Sequence, residues 1–131
     1  MDRRAVPADV VLDGQDVELK SVALYRRELS PGEYTVSAGR LIVHRAGPQC
    51  TLEIEVTNRP GENTALEGLY CSGDFLLTQC EAEGFRKITY FPDRPDVMTR
   101  FDVTLIADAE RYPVLLSNGN EVGEGRLDDG R

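Results

Sequence analysis

Two polar side chains in the segment "TQCEAEGFR" have the residue types and spacing of an amine-binding pair. If this segment is extended, Gln79 and Glu81 project from one face and Cys80 from the other, because alternate residues of a strand share a face. The carboxylate can accept a charge-assisted hydrogen bond from a primary ammonium, and the amide oxygen can accept another. A peptide α-amino group, with an ordinary pKa of about 7.7–8.0, is mostly cationic at neutral pH. On spacing alone, two solvated side chains on a strand face are the simpler interpretation.

Other catalytic and metal-binding patterns are missing from the sequence. His44 is the one histidine, so the chain cannot supply an H-E-x-x-H motif or any other two-histidine zinc site. It also lacks a G-x-S-x-G elbow, a Walker loop and a G-x-G-x-x-G fingerprint. Glu81 and Glu83 are the best-placed carboxylates for acid–base chemistry, but no polarised site is indicated beside them. We therefore assign no catalytic and no metal-binding residue, and expect His44 to lie at a strand end.

Composition and charge are those of an ordinary soluble domain. A chain of 131 residues falls within the usual size of one domain, and no apolar run approaches the roughly 18 residues of a membrane span. The 15 basic and 23 acidic residues give a net charge of −8, which disfavours nucleic acid as a partner. The three cysteines, Cys50, Cys71 and Cys80, are expected to be free thiols in a reducing compartment. A disulfide between two of them is the alternative.

Short alternating segments separated by turns predict an all-β fold. The predicted strands lie in "VELKSVAL", "EYTVSAGRLIVHR", "TLEIEV", "RFDVTLIAD" and "YPVLLSNGNEV". Asn118-Gly119 in the last segment is typical of a hairpin turn, because both residues tolerate positive φ. About ten residues between turns is typical of an antiparallel β-sandwich.

The segment after Glu81 is expected to brace the loop that carries it. Residues 85–91 are predicted to form a strand with Tyr90 and Phe91 in the core. One short helix is predicted in "DRPDVMTR", where Asp93 would cap the first turn. Arg86 and Arg94 are expected to form ion pairs with nearby acids, and such pairs contribute little when exposed.

A longer segment resembles a known family. "NTALEGLYCSGDFLLTQCEAEGFRKITYFPDRPDVMTRFDVTLIADAERYPVLLSNGNEV" is similar to the N-terminal domain of the bacterial aminopeptidase N family, which consists of zinc-dependent gluzincin aminopeptidases. The most specific part is T-Q-C-E-A-E-G-F-R followed by I-T-Y-F-x-D-R-P-D-V, and the resemblance runs from about Val10 to the end. The chain departs from the family at residues 25–28, where an Asp-Gly turn is more usual, but this surface hairpin does not touch the site.

The resemblance implies a saddle-shaped domain of several β-sheets that covers one side of a separate catalytic domain. It implies that Gln79 and Glu81 line the entrance subsite, where Glu81 grips the α-ammonium of the peptide substrate. The zinc-binding H-E-x-x-H and the G-x-M-E-N motif would belong to the catalytic domain of the same polypeptide. Residues 1–131 are therefore expected to be one truncated domain of a cytoplasmic zinc aminopeptidase, without zinc and without activity of its own.

Two further expectations complete this interpretation. A stand-alone β-sandwich module that binds protein or carbohydrate is the alternative function, although the absence of tryptophan disfavours sugar binding. The resemblance implies that upstream strands and the neighbouring domain are missing from the chain, which would leave an open sheet edge and an apolar face. Self-association through that edge is therefore expected.

Overall fold

The computed structural model describes residues 8–131. The expectation that the chain starts inside a domain falls partly on residues 1–7, which lie outside this description. Two compact units are present, Met1–Val97 and Met98–Arg131, and each is described by itself. In the described residues the regular structure consists of antiparallel strands and two single-turn 3₁₀ helices, which confirms the all-β class. None of the helices in this part of the chain is long and apolar enough to cross a bilayer.

Six of the eight strands form two three-stranded antiparallel sheets in the first unit. The first sheet has the spatial order β1 (Val10–Asp13), β5 (Arg40–Val43), β4 (Tyr34–Ser37). The second has the order β3 (Arg27–Glu28), β2 (Glu18–Leu24), β6 (Leu52–Thr57). Strands β4 and β5 form a hairpin around Gly39, which adopts φ +78° as its turn requires. In β6 the half-buried Leu52, Ile54 and Val56 alternate with exposed residues, as predicted.

Both sheets contribute to one hydrophobic core. Val22 from β2 and Leu41 from β5 are almost completely buried and belong to the same cluster. Burial of such side chains contributes roughly 1.5–3 kcal/mol each. Tyr90 is also buried there, as predicted, and its desolvation raises the pKa of its hydroxyl. The shared core supports the sandwich arrangement of these two sheets.

The third sheet is a two-stranded hairpin. It consists of β7 (Gly68–Ser72) and β8 (Phe75–Gln79), paired from Gly68 opposite Gln79 to Ser72 opposite Phe75. All five residues of β8 are exposed. The hairpin is therefore positioned from its open end, where Gly68 and Gln79 meet, and not by a core of its own.

Two predictions for the segment after β8 are wrong. Residues 85–91 do not form a strand, because Phe85–Lys87 is a 3₁₀ turn and Phe91 makes only an isolated bridge to Asp13. The predicted helix over residues 93–100 is also absent, and only a turn forms at residues 95–96. The carboxylate of Asp93 accepts hydrogen bonds from Arg86 instead of capping a helix. An ion pair between residues seven positions apart has thus replaced the expected cap.

The predicted strand in "RFDVTLIAD" and the hairpin around Asn118-Gly119 do not form in the second unit. Gly119 has the positive φ expected of a turn, +92°, but no strand ladder flanks it among the described residues. A strand requires a neighbour that supplies its backbone hydrogen bonds. The alternating apolar residues of this unit, including Phe101, Val103 and Leu105, are correspondingly exposed.

Candidate functional site

The predicted amine-binding pair lies at the end of the β7–β8 hairpin. Gln79 is the last residue of β8, and Glu81 begins a turn over residues 81–84. Both side chains are exposed, and Gln79 Nε2 donates a hydrogen bond to the backbone oxygen of Glu81 at 3.3 Å. The peptide bond between Glu81 and Ala82 is cis. The expectation of an extended segment through Glu81 is wrong, but the structure does bring the two residues together.

Two glycines fix the chain around this turn. Gly68, at the start of β7, has φ +70°, and a Cβ atom there would overlap Lys87 Cβ. Gly84 closes the turn by donating its amide to the carbonyl of Cys80 at 2.9 Å. A Cβ atom on Gly84 would lie 2.6 Å from the carbonyl oxygen of Gln79. The open end of the hairpin and the turn that carries Glu81 are therefore in backbone-to-backbone contact.

Arg86 and Asp93 anchor the end of the turn. The backbone amide and Nε of Arg86 both donate to Asp93 Oδ2, at 3.1 and 3.0 Å, and a terminal guanidinium nitrogen donates to the Asp93 carbonyl at 2.7 Å. The side chains are only 22% and 15% exposed. The hydrogen bond to Asp93 raises the pKa of Arg86 above its ordinary value. This pair is more buried than the expected surface ion pair, so water screens it less.

A second ion pair ties the turn to the start of β7. Lys87 Nζ lies 2.8 Å from Glu67 Oε2, and the Lys87 side chain is only 10% exposed. The amide nitrogen of Asn63 donates to the carbonyls of Glu67 and Leu69, at 2.7 and 2.9 Å. Because the Asn63 amide holds two carbonyls at once, it fixes the path on which the chain enters β7.

The sequence predicted an ion pair for Arg86, but not its partner or the other contacts around the turn. Arg86 and Asp93 are seven residues apart and no helix or strand of the structure spans both, so periodicity gave no signal of their contact. The glycines at 68 and 84 could have suggested close backbone approach, because glycine is favoured where two chain segments meet. Nothing in the sequence alone names the segment that each would meet.

The metal and cysteine predictions concern other side chains. Among residues 8–131 no group of three His, Cys, Asp or Glu residues is arranged to hold a metal ion, so the described residues do not fit a zinc site. Cys50, Cys71 and Cys80 are free, which confirms the predicted thiols over the alternative disulfide. Burial raises the pKa of the Cys80 thiol, which therefore stays protonated at neutral pH.

His44 follows β5 directly, at the predicted strand end, and belongs to a different part of the surface. Its Nδ1 lies 3.0 Å from Asp9 Oδ2, and its Nε2 lies 2.8 Å from Thr35 Oγ1. The Arg45 amide also donates to Asp9, and this bond, followed by the one to His44, lowers the pKa of Asp9. These contacts join the start of β1 and the end of β5 to β4. None of the contacts named here involves Gln79 or Glu81, which remain the candidate binding pair.

Residues 7–131 match the Peptidase M1 N-terminal domain family. The chain belongs to this family. It is 52% identical over 122 residues to aminopeptidase N of Caulobacter vibrioides, covering 93% of this chain, and 48% identical over 127 residues to aminopeptidase N of Escherichia coli, covering 97%. A solved structure of Legionella pneumophila aminopeptidase A in complex with aspartic acid is similar over 93% of this chain, with 39% identity and a TM-score of 0.85. The chain spans about 14% of the length of each of these peptidase M1 relatives.

Proposed function

We propose that this chain is the substrate-amine-binding domain of a zinc aminopeptidase, which removes N-terminal amino acids from peptides. The observation that carries the proposal is the exposed Glu81 carboxylate, held beside Gln79 on a turn that two ion pairs and two close-packed glycines anchor. Membership of the Peptidase M1 N-terminal domain family and the names of the relatives support it. The same evidence favours an enzyme domain over a stand-alone binding module.

Glu81 would recognise the feature that distinguishes a peptide terminus from the rest of the chain. A free α-ammonium carries three donors and a positive charge, whereas an acylated terminus carries one neutral amide N–H. A charge-assisted hydrogen bond to Glu81 would contribute about 1.5–3 kcal/mol, which corresponds to about 10- to 150-fold in affinity. The Gln79 amide oxygen would accept a second hydrogen bond and limit the orientations of the ammonium. Together they would position the first peptide bond for cleavage.

The remaining parts of the enzyme would lie in the neighbouring domain of the same polypeptide. We propose that this domain binds the zinc, which activates water for peptide hydrolysis, because the described residues of this chain do not fit the metal. The chain would cover that active site and contribute binding and orientation alone. The free cysteines are consistent with a cytoplasmic enzyme.

The test is a Glu81→Gln substitution in the full-length enzyme, which removes the charge and keeps the side-chain size. We expect kcat/KM for peptides with a free terminus to fall by about 10- to 150-fold, because one charge-assisted hydrogen bond is lost. The preference for free over N-acetylated peptides should fall by a similar factor. Steady-state kinetics on a matched pair of such peptides measures both quantities.

Glu83→Gln is the matched control. Glu83 is an exposed carboxylate in the same turn, and its one ion pair, to Arg86 at 3.6 Å, is loose. This variant changes the net charge equally and should retain nearly normal kinetics. If Glu81→Gln and Glu83→Gln behave alike, Glu81 does not bind the substrate amine.

A further inference from the structure

We infer that Arg86 is the positioning residue for Glu81, a role that rests on the proposed function of Glu81 as the amine-binding group. Arg86 directly follows Phe85 at the end of the Glu81 turn and makes four hydrogen bonds with its neighbours. Three go to Asp93, and in the fourth the backbone oxygen of Arg86 accepts the Gln15 amide at 2.8 Å.

The contacts of Arg86 fix the C-terminal end of the turn relative to the core. The bond from Gln15 ties Arg86 to the loop between β1 and β2, and Asp93 lies just beyond Phe91, whose backbone exchanges two hydrogen bonds with Asp13 of β1. Gly84, the last residue of the turn, packs on the carbonyl of Gln79, which precedes the turn. The turn therefore has little freedom to shift while the Arg86–Asp93 pair is intact.

The chemistry of arginine explains why this residue suits the position. Its planar guanidinium can donate from Nε and from a terminal nitrogen in fixed directions, and here it reaches the carboxylate and the carbonyl of one residue, Asp93. The mostly buried pair would lose this geometry if either partner were shortened. A displacement of Glu81 by even an ångström would weaken a short ammonium contact, because charge-assisted hydrogen bonds are short and directional.

The test compares Arg86→Gln, Glu81→Gln and the double variant in the full-length enzyme. We expect Arg86→Gln to reduce kcat/KM for free-amine peptides about tenfold, with the loss divided between KM and kcat as in Glu81→Gln. The double variant should lose little more than Glu81→Gln alone, because Arg86 acts through Glu81. Arg94→Gln is the matched control, since the hydrogen-bonded partner of the Arg94 side chain is the exposed Asp96 in the same segment, and this variant should leave the kinetics unchanged.

Two conservative variants keep the test decisive if Arg86→Gln folds poorly. Asp93→Asn retains an oxygen acceptor for Arg86, and Arg86→Lys retains one cationic donor, so each should lie between the wild type and Arg86→Gln. If kcat of Arg86→Gln fell only in proportion to the fraction of correctly folded enzyme, with KM unchanged, Arg86 would only stabilise the fold. That result would overturn the inference. Full additivity with Glu81→Gln, or normal kinetics of Arg86→Gln beside an impaired Glu81→Gln, would overturn it too. Normal kinetics of Glu81→Gln would instead contradict the proposed function itself.

Discussion

Gly84 lies so close to the end of β8 that a Cβ atom on it would be 2.6 Å from the carbonyl oxygen of Gln79. Because the obstacle is backbone, a Gly84→Ala substitution cannot be relieved by a side-chain rotation. We expect it to cost about 1–3 kcal/mol through overpacking and to displace the turn that carries Glu81. In the full-length enzyme the result should be a higher KM for peptides with a free terminus, measured by steady-state kinetics.

Gly61→Ala provides the control for this change. Gly61 lies in the 3₁₀ turn Pro60–Glu62, and a Cβ atom there would have no neighbour within 4 Å. Its substitution should leave KM unchanged. Equal effects of the two alanines would show that the contact between Gly84 and Gln79 does not position the site.

The shared core of the two larger sheets predicts a large effect for Leu41→Ala. Leu41 is completely buried in the central strand β5, so the substitution leaves a cavity between the sheets. We expect a loss of about 2–5 kcal/mol in the free energy of unfolding, measured by urea denaturation. Val36→Ala on the neighbouring β4, where the side chain is 49% exposed, should change stability by less than about 0.5 kcal/mol. A small effect of Leu41→Ala would contradict the shared core.

The ion pair between Arg27 and Glu33 predicts that the Glu33 carboxylate stays ionised at unusually low pH. Hydrogen bonds from Arg27, and then from the Ser30 amide, lower the pKa of Glu33 from 4.5 to about 2. The pKa is depressed in the folded state, so the contribution of Glu33 to stability is complete above pH 4.5 and is lost as the pH falls through about 2. Titration of the Glu33 carboxyl by NMR measures this value. Arg27→Gln should move it most of the way to 4.5, and an unchanged midpoint would contradict the contact.

The exposed hairpin predicts that the chain associates with itself when it is studied alone. All of β8 is exposed, including Phe75 at 71%, and edge strands of this kind template pairing with other chains. We expect concentration-dependent association in sedimentation experiments, and weaker association for Leu77→Lys, which places a charge on β8. A clean monomer at high concentration would rule out this prediction.

Local patterns predicted four strands of the first unit, β2, β4, β5 and β6. The alternation of Leu52, Ile54 and Val56 depends on neighbouring residues only, and it occurs in the structure. The proximity of Gln79 and Glu81 was also predictable from the sequence, because two residues separated by one position lie close together in most backbone conformations. These features required no knowledge of the tertiary structure.

Features that depend on distant contacts were not predictable in the same way. Asp93 has the residue type of a helix cap, but its partner Arg86 offers a stronger interaction than the local amides. Phe101, Val103 and Leu105 have the alternation of a strand, but alternation specifies a face and not the neighbour that a ladder needs. In both cases the outcome was decided by residues that the local pattern does not contain.

The hairpin β7–β8 is anchored at its open end, near Gly68 and Gln79, and its tip is exposed, so the hairpin can bend about the anchored end. The five residues of each strand place the tip roughly 17 Å from the anchored end. A force on the tip that moved Phe75 by several ångströms would hardly shift Gln79 or Glu81, which lie at the anchored end. Gln79 and Glu81, the pair proposed to bind the substrate amine, are thereby insulated from whatever the tip touches.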